Sequence, residues 1–198
     1  MSKSRANALS KSGIRNYALR IRTLLGYKNC DYINAPALFD LLTILFAKQG
    51  LDFDYRIMPD DHEVFIEKEE AYTDISSGII YIKESVMVKE CQNGYTRETF
   101  TLIHELGHYL LHYLQSDARL SRVSDDTYVP PYCDPEWQAD TFASEFLMPY
   151  DECIKMNAYE IQKKYHVSKK AAEVRYEKIR NELINKIINN QTFLKNES

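Results

Sequence analysis

The stretch TLIHELGHYLLH, residues 101–112, holds three of the chain's five histidines, spaced four residues apart. Two histidines with this spacing on a helix place their rings on one face, about 6 Å apart along the axis. From that separation the two imidazole rings can both bind the same zinc ion, each through one nitrogen at about 2.1 Å. His104 and His108 are therefore predicted to be metal ligands. Glu105 follows the first ligand and is predicted to be the catalytic base, which takes a proton from water on the metal.

The third histidine of the stretch, His112, does not fit as a ligand. It lies about 12 Å along the axis from His104, and three side chains stacked on one straight helix cannot converge on a tetrahedral ion. The longer HExxHxxGxxH pattern also fails, because Leu111 and Leu114 occupy the positions of its Gly and its third His. His112 is predicted to be structural, near the end of the helix, with a contact at the active-site rim as the alternative.

The remaining ligand is expected on a second helix, in the segment PEWQADTFASEFLMP. Glu136 and Asp140 are four residues apart there and so face the same side. Apolar residues fill much of this helix, which predicts that it is buried. A buried acidic side chain is costly unless it is paired or binds a metal. Glu136 is predicted to be the third ligand, with Asp140 as acceptor for the ring N–H of His104 or His108. Glu145, and a ligand from elsewhere in the chain, remain alternatives.

Helix and strand patterns alternate around these residues. Helical periodicity and turn signals predict helices over residues 14–25, 35–49, 97–114 and 135–148. Asn34 and Thr96 are the predicted N-caps of the second and third of them. Alternating apolar residues predict a strand over residues 51–58, and short apolar runs predict strands over residues 63–67 and 78–83, with the middle strand paired to both others. The predicted fold class is α+β, a small, twisted, mostly antiparallel sheet packed against the helix that carries the histidines.

The C-terminal stretch YEIQKKYHVSKKAAEVRYEKIRNEL predicts two helices around a tight turn, with Ser168 as N-cap of the second. Residues 155–198 contain ten basic and five acidic side chains, whereas residues 1–154 carry a net charge of −9. Three roles for this helix-turn-helix-like segment are open: packing on the core, docking of a protein partner, or phosphate contacts through basic side chains that include Arg175.

The composition is that of a globular protein, with 44% hydrophobic residues and a net charge of −4. The apolar runs are too short for a membrane helix, and the first residues lack the apolar core of a secretion signal. The four cysteines are scattered without a CxxC pair, which favours reduced thiols and a cytoplasmic location. Three segments are expected: an N-terminal helical segment (1–50), a core that carries the predicted catalytic metal site (51–154) and the helix-turn-helix-like segment (155–198).

The blocks RETFTLIHELGHYLLH and EWQADTFASEFLMP together resemble the ImmA/IrrE family of zinc metallopeptidases, over roughly residues 51–149. The resemblance implies a Zn²⁺ cofactor held by His104, His108 and Glu136, with Glu105 as the catalytic residue. The family more often has Asn at the position of Asp140, and Asp can make the same acceptor contact.

The resemblance also implies a role. Family members typically cleave a helix-turn-helix repressor and so derepress a mobile element or a stress regulon. They bind the substrate as an added strand, for which the GIIYIK strand is the expected sheet edge. Tyr128, Tyr132 and His112 are candidates for stabilising the oxyanion. Direct nucleic-acid binding and membrane contact are not expected. Two alternatives remain: a non-catalytic regulator that holds a repressor or DNA, and a DNA-binding protein with a structural zinc.

Overall fold

The computed structural model describes residues 4–51, 53–66, 69–93, 97–114 and 120–196, and the chain is an α+β protein as predicted. The helices are α1 (Lys11–Leu24), α2 (Ala35–Lys48), α3 (Glu84–Asn93), α4 (Arg97–His108), α5 (Pro135–Leu147), α6 (Tyr150–Cys153), α7 (Ala158–Tyr165) and α8 (Lys169–Asn196). The strands are β1 (Ser4–Arg5), β2 (Asp54–Met58), β3 (Ala71–Asp74), β4 (Ile79–Lys83) and β5 (Ser121–Arg122). A π-helical turn (Tyr109–Tyr113) follows α4, and a 3₁₀ turn (Pro131–Cys133) precedes α5.

Side-chain caps fix where several helices begin. At the start of α2, Asn34 accepts a hydrogen bond from the amide of Ala37 at 3.0 Å, as its predicted cap role requires. That helix stops before Gly50, whose φ of 66° lies in the left-handed region. Ser168 caps α8 through the amide of Ala171, which confirms the predicted turn. The predicted cap Thr96 lies outside the described residues.

The main sheet has three strands in the order β2-β4-β3, with β2 parallel to β4 and β3 antiparallel to it. The sheet is therefore mixed: one of its two strand pairs is parallel, whereas a mostly antiparallel sheet was predicted. The strand predicted over residues 63–67 is wrong where the structure describes it, because residues 63–66 form turns and irregular chain. The strand is β3 instead, in which Ala71 and Thr73 are buried and Tyr72 between them is exposed. β3 and β4 form an antiparallel hairpin, and on its other side β4 pairs with β2 in the parallel direction.

The GIIYIK segment forms β4, which is the central strand of this sheet. Its Ile80 and Ile82 are fully buried, as expected for a strand with neighbours on both sides. The prediction that this segment is the free edge is therefore wrong. The edge strands of the described sheet are β2 and β3.

The turn between β3 and β4 ties the sheet to the chain that follows α4. Asp74 accepts hydrogen bonds from the amide and hydroxyl of Ser76, and its carbonyl accepts from the amide of Gly78 at 2.7 Å. Gly78 has a φ of 72°, and the ring of Tyr113 occupies the space where a Cβ would stand. Glycine is required there for both reasons.

Helices α4 and α5 approach closely at Gly107. A Cβ built on Gly107 would lie 3.3 Å from the Cα and the carbonyl oxygen of Ala139 and 3.2 Å from the ring of Phe142. The missing side chain therefore lets the backbone of α5 pack against α4. This contact brings the first turns of α5 beside the histidines of α4.

The predicted helix over residues 97–114 is helical to its end, but its last turn is not an α-helix. After His108 the chain widens into the π-helical turn, in which Leu114 donates its amide to the carbonyl of Tyr109. Four consecutive side chains, Tyr109 to His112, are buried. An amphipathic α-helix would leave some of them exposed, so the π turn fits a segment enclosed on several sides.

Helices α7 and α8 form a hairpin that packs on the rest of the chain. Ile161, Tyr165 and Ile179 are buried in the common core. Arg175 is only 2% exposed and makes a bidentate ion pair with Glu145, with contacts of 2.7 and 3.0 Å. Arg175 is therefore unable to reach a phosphate, contrary to its place among the predicted phosphate contacts.

One cluster of buried side chains joins residues from α1 and α2, the sheet, the two central helices α4 and α5, and the α7–α8 hairpin. All four cysteines are free thiols. No helix in the described part of the chain has both the length and the apolar character needed to cross a bilayer.

Candidate metal centre

Three side chains on two helices bring their ligand atoms together. His104 and His108 extend from α4, with their Nε2 atoms 3.0 Å apart. Glu136, in the first turn of α5, places one carboxylate oxygen 3.3 Å from Nε2 of His104 and the other 3.5 Å from Nε2 of His108. Among the described residues this is the group of His, Cys, Asp and Glu side chains with spacing suited to a metal ion.

These distances fit a divalent cation. Bonds of about 2.0 to 2.1 Å in tetrahedral geometry separate neighbouring ligand atoms by about 3.3 Å. The three separations of 3.0, 3.3 and 3.5 Å surround that value. Two imidazoles and one carboxylate form a donor set that zinc accepts, and three protein ligands leave a fourth position open. The residues present therefore fit the cofactor.

The start of α5 fixes the position of Glu136. Asp134 is the N-cap of α5, and its side chain accepts a hydrogen bond from the amide of Glu136 at 3.0 Å. Pro135 occupies the first helical position, where no N–H donor is required. Glu136 is 70% exposed, so its carboxylate projects from the helix end towards the two histidines on α4.

Asp140, one turn beyond Glu136, lies beside His104. Its Oδ1 is 2.9 Å from Nδ1 of His104, so the N–H at Nδ1 donates to Asp140 and Nε2 is turned towards Glu136. Burial alone would lower the pKa of His104, but the hydrogen bonds to Asp140 and Glu136 outweigh it and raise the pKa to about 10. The hydrogen bond from His104 holds the pKa of Glu136 far below its ordinary value. In the metal-free protein a proton on His104 is thus held where a cation would bind.

His112 lies behind His108, on the side opposite the three ligand atoms. Nδ1 of His112 is 3.1 Å from Nδ1 of His108, and Nε2 of His112 is 3.0 Å from Oε1 of Gln138. Burial, followed by the neighbouring His108, lowers the pKa of His112 to about 4. A buried ring behind a ligand is badly placed to contact a substrate, which favours the structural role predicted for His112 over the rim or oxyanion role.

Glu105 faces the same cleft as the three ligand atoms and is itself mostly buried. The hydroxyl of Thr73, on the edge strand β3, lies 2.7 Å from a carboxylate oxygen of Glu105 and 3.0 Å from its carbonyl oxygen. Thr73 therefore restricts the orientation of the predicted base. The sequence contained a signal for the strand that carries Thr73, because AYTD leads directly into the turn before GIIYIK, but it contained none for the contact itself.

The cleft in front of the ligand atoms has a volume of about 1220 Å³ and is lined by β3, the start of α5 and residues near β5. This exceeds the roughly 300 to 1,000 Å³ typical of small-molecule pockets. Tyr128 is 78% exposed and Tyr132 also lies largely on the surface, and neither is among the residues that line the cleft. Glu145, the alternative ligand, is fully buried against Arg175 instead.

An HExxH helix joined to a glutamate on a neighbouring helix is the arrangement of metallopeptidases whose third ligand is a carboxylate. A family model described as the IrrE N-terminal-like domain, of peptidase family M78, matches residues 58–177, which is more than half of the chain. The chain belongs to this family, so its function is of the metallopeptidase type. No curated protein sequence matches it at a significant level.

Proposed function

We propose that the chain is a zinc-dependent endopeptidase whose substrate is a helix-turn-helix transcriptional repressor. The observation that supports this most strongly is the convergence of His104, His108 and Glu136, at 3.0 to 3.5 Å, beside Glu105 in one open cleft. A structural metal site would have four protein ligands, whereas this group has three.

The side chains divide the work of peptide hydrolysis among them. A cation held by His104, His108 and Glu136 supplies Lewis-acid chemistry, which acidifies water and polarises a carbonyl group. Glu105 accepts a proton as the water oxygen bonds to the carbonyl carbon, and delivers it to the nitrogen that leaves when the C–N bond breaks. Thr73 holds the Glu105 carboxylate in place through both transfers.

The substrate binds as an extended segment along β3. This strand is paired only with β4 within the described sheet, and residues 71–74 line the cleft together with the ligand histidines. An added strand would pair its backbone with the free edge and carry a scissile bond past Glu105. This replaces the expected role of the GIIYIK strand, which has neighbours on both sides.

A repressor is the proposed substrate because family membership implies it, and the experiment is built on that protein. The purified, zinc-loaded chain is incubated with the helix-turn-helix repressor encoded beside its gene, and the products are identified by mass spectrometry. We expect cleavage at one or a few bonds. The variant Glu105→Gln keeps the ligands and the shape but removes the base, so cleavage should fall by about 10²- to 10⁴-fold while zinc is retained.

Two results would contradict the proposal. Undiminished cleavage by the Glu105→Gln variant would show that Glu105 is not the base. Tight binding of the repressor without cleavage by the zinc-loaded chain would favour the non-catalytic regulator instead.

A further inference from the structure

The amide of Gln138 has a single possible orientation. Its Nε2 lies 2.7 Å from the carbonyl oxygen of Asn7 and 2.8 Å from that of Tyr132. Both partners are acceptors only, so the NH₂ group must point to them and Oε1 must point the other way. Gln138 is 0% exposed, and all its polar atoms are used.

This orientation determines which ring nitrogen carries the hydrogen, first in His112 and then in His108. Because Oε1 of Gln138 only accepts, the N–H of His112 must be on Nε2, 3.0 Å away. A neutral His112 then has a lone pair at Nδ1, which accepts the N–H of His108 across 3.1 Å. With its proton on Nδ1, His108 has its lone pair on Nε2, the atom that lies 3.0 Å from Nε2 of His104.

We propose that Gln138 and His112 are positioning residues, which fix His108 in the tautomer that binds metal. The chain of hydrogen bonds runs from two backbone carbonyls through Gln138 and His112 to His108. It matches, for the second ligand, what Asp140 does directly for His104. In water a neutral imidazole prefers the opposite tautomer, with hydrogen on Nε2, which would block the metal.

The N-terminal segment supports this chain of hydrogen bonds. The amide of Ala6 donates to the carbonyl of Cys133 and that of Leu9 to the carbonyl of Tyr132, each at 2.8 Å. These two backbone contacts bracket Asn7 and hold its carbonyl against Gln138. The chain before α1 thus contributes to the metal centre, although it supplies no ligand.

The first test measures the tautomers directly in the wild-type, metal-free protein. Two-bond ¹⁵N–¹H correlation spectra at mildly alkaline pH distinguish the protonated from the bare nitrogen of each histidine ring. We expect hydrogen on Nε2 of His112 and on Nδ1 of His108. Hydrogen on Nε2 of His108 as the main form would overturn the proposal.

The second test removes the chain of hydrogen bonds and measures zinc affinity by competition with a chelator. In Gln138→Met the side chain keeps its length but loses the acceptor, and in His112→Phe the ring loses both nitrogens. We expect each variant to bind zinc about 10- to 100-fold more weakly. Gln138→Met should also shift the ¹⁵N signals of His108 towards the Nε2–H form.

Phe146→Leu is the matched control, because it removes packing against Phe142 from the same helix without touching these hydrogen bonds. At an equal loss of melting temperature it should leave zinc affinity and the His108 signals unchanged. If Gln138→Met and Phe146→Leu weaken zinc binding equally, the effect is general destabilisation and the proposal is wrong.

The metal-binding part of this inference rests on the proposed function, but the two fail in different ways. A wild-type protein that binds no zinc while His108 shows hydrogen on Nδ1 would refute the proposed function and leave the tautomer assignment intact. A wild-type protein that cleaves its substrate while His108 shows hydrogen on Nε2 would refute the tautomer assignment and leave the proposed function intact.

Discussion

Within the described part of the chain, the hydroxyl of Thr73 is the group that hydrogen-bonds to the Glu105 carboxylate, at 2.7 Å. A hydrogen bond to a charged group contributes about 1.5 to 3 kcal/mol, so its loss should be visible in the rate. We predict that Thr73→Val lowers kcat about tenfold or more and leaves KM nearly unchanged, as measured by steady-state hydrolysis of a peptide. Thr73→Ser keeps the hydroxyl and should restore most of kcat. Equal losses in both variants would mean that Thr73 acts through packing alone.

The proton held by His104 makes metal binding depend on pH. Its pKa is raised to about 10 in the metal-free protein, so near neutral pH the ring is charged and a cation must displace the proton. We predict that zinc binding releases about one proton from this ring and that affinity rises with pH until the pKa is reached. Calorimetry in buffers of different ionisation enthalpy measures the number released.

Asp140→Asn is the control for this proton. The amide oxygen still accepts from Nδ1 of His104, but one of the charges that raise the pKa of His104 is gone, while those of Glu136 and Glu105 stay. The variant should release a smaller fraction of a proton near neutral pH. Proton release that is absent in the wild type, or unchanged in Asp140→Asn, would contradict the assignment.

At the scale of elements, the close contact of α4 with α5 sets the distance between the histidines and Glu136. A Cβ on Gly107 would meet backbone atoms of Ala139 at 3.3 Å, which cannot move as easily as a side-chain tip. Overpacking of this kind costs about 1 to 3 kcal/mol, partly offset by the gain of about 1 kcal/mol in helix propensity. We therefore predict that Gly107→Ala lowers the free energy of unfolding only slightly but weakens zinc affinity, because Glu136 is displaced.

Gly13→Ala is the comparison for that substitution, since a Cβ there meets only the side-chain oxygen of Ser10, at 3.1 Å. Denaturation and zinc competition are measured for both variants. If Gly107→Ala binds zinc as tightly as Gly13→Ala, the close contact of α4 with α5 does not control the metal centre.

The ligand residues could be predicted because their pattern is local. His104 and His108 share one helix, Glu136 and Asp140 share another, and a spacing of four reveals a shared face without knowledge of the fold. The structure brings all four together, although their roles remain predictions. The contact of His104 with Asp140, and not with another acceptor, depends on how α4 meets α5, which the sequence left open.

The rest of the centre depends on contacts between distant segments. The function of Gln138 requires the carbonyl of Asn7, which lies 131 residues away along the chain. The periodicity of the sequence cannot predict a contact between residues so far apart. The β3 strand was missed for a different reason: AYTD is short, and the apolar run of residues 64–66 offered a competing strand signal. The central position of β4 follows from strand order, which local patterns do not encode.

At the scale of the whole molecule, an ion-pair cluster joins the first helix to the last. Glu182 on α8 lies 2.7 Å from Lys11 and 3.0 Å from Arg15, both on α1, and 3.1 Å from Lys186. Burial alone would raise the pKa of Glu182, but hydrogen bonds from these cations outweigh it and lower the pKa to about 2.

This shift predicts how stability depends on acid. A carboxyl group whose pKa is depressed on folding contributes stability above its ordinary value of 4.5, and the contribution is lost as pH falls towards about 2. We predict that Glu182→Gln destabilises the protein near neutral pH and that the difference from wild type disappears over that window. Urea denaturation at several pH values measures it. A difference that persists at the acid end would show that Glu182 acts by packing and not by charge.

The proposed activity requires one cation held between α4 and α5. Anomalous diffraction at the zinc absorption edge, from crystals of the zinc-loaded protein, locates the metal directly. We predict one strong peak bonded to Nε2 of His104, Nε2 of His108 and a carboxylate oxygen of Glu136, at about 2.0 to 2.2 Å from each. A peak bonded to other residues, or no peak between the two helices, would contradict the account.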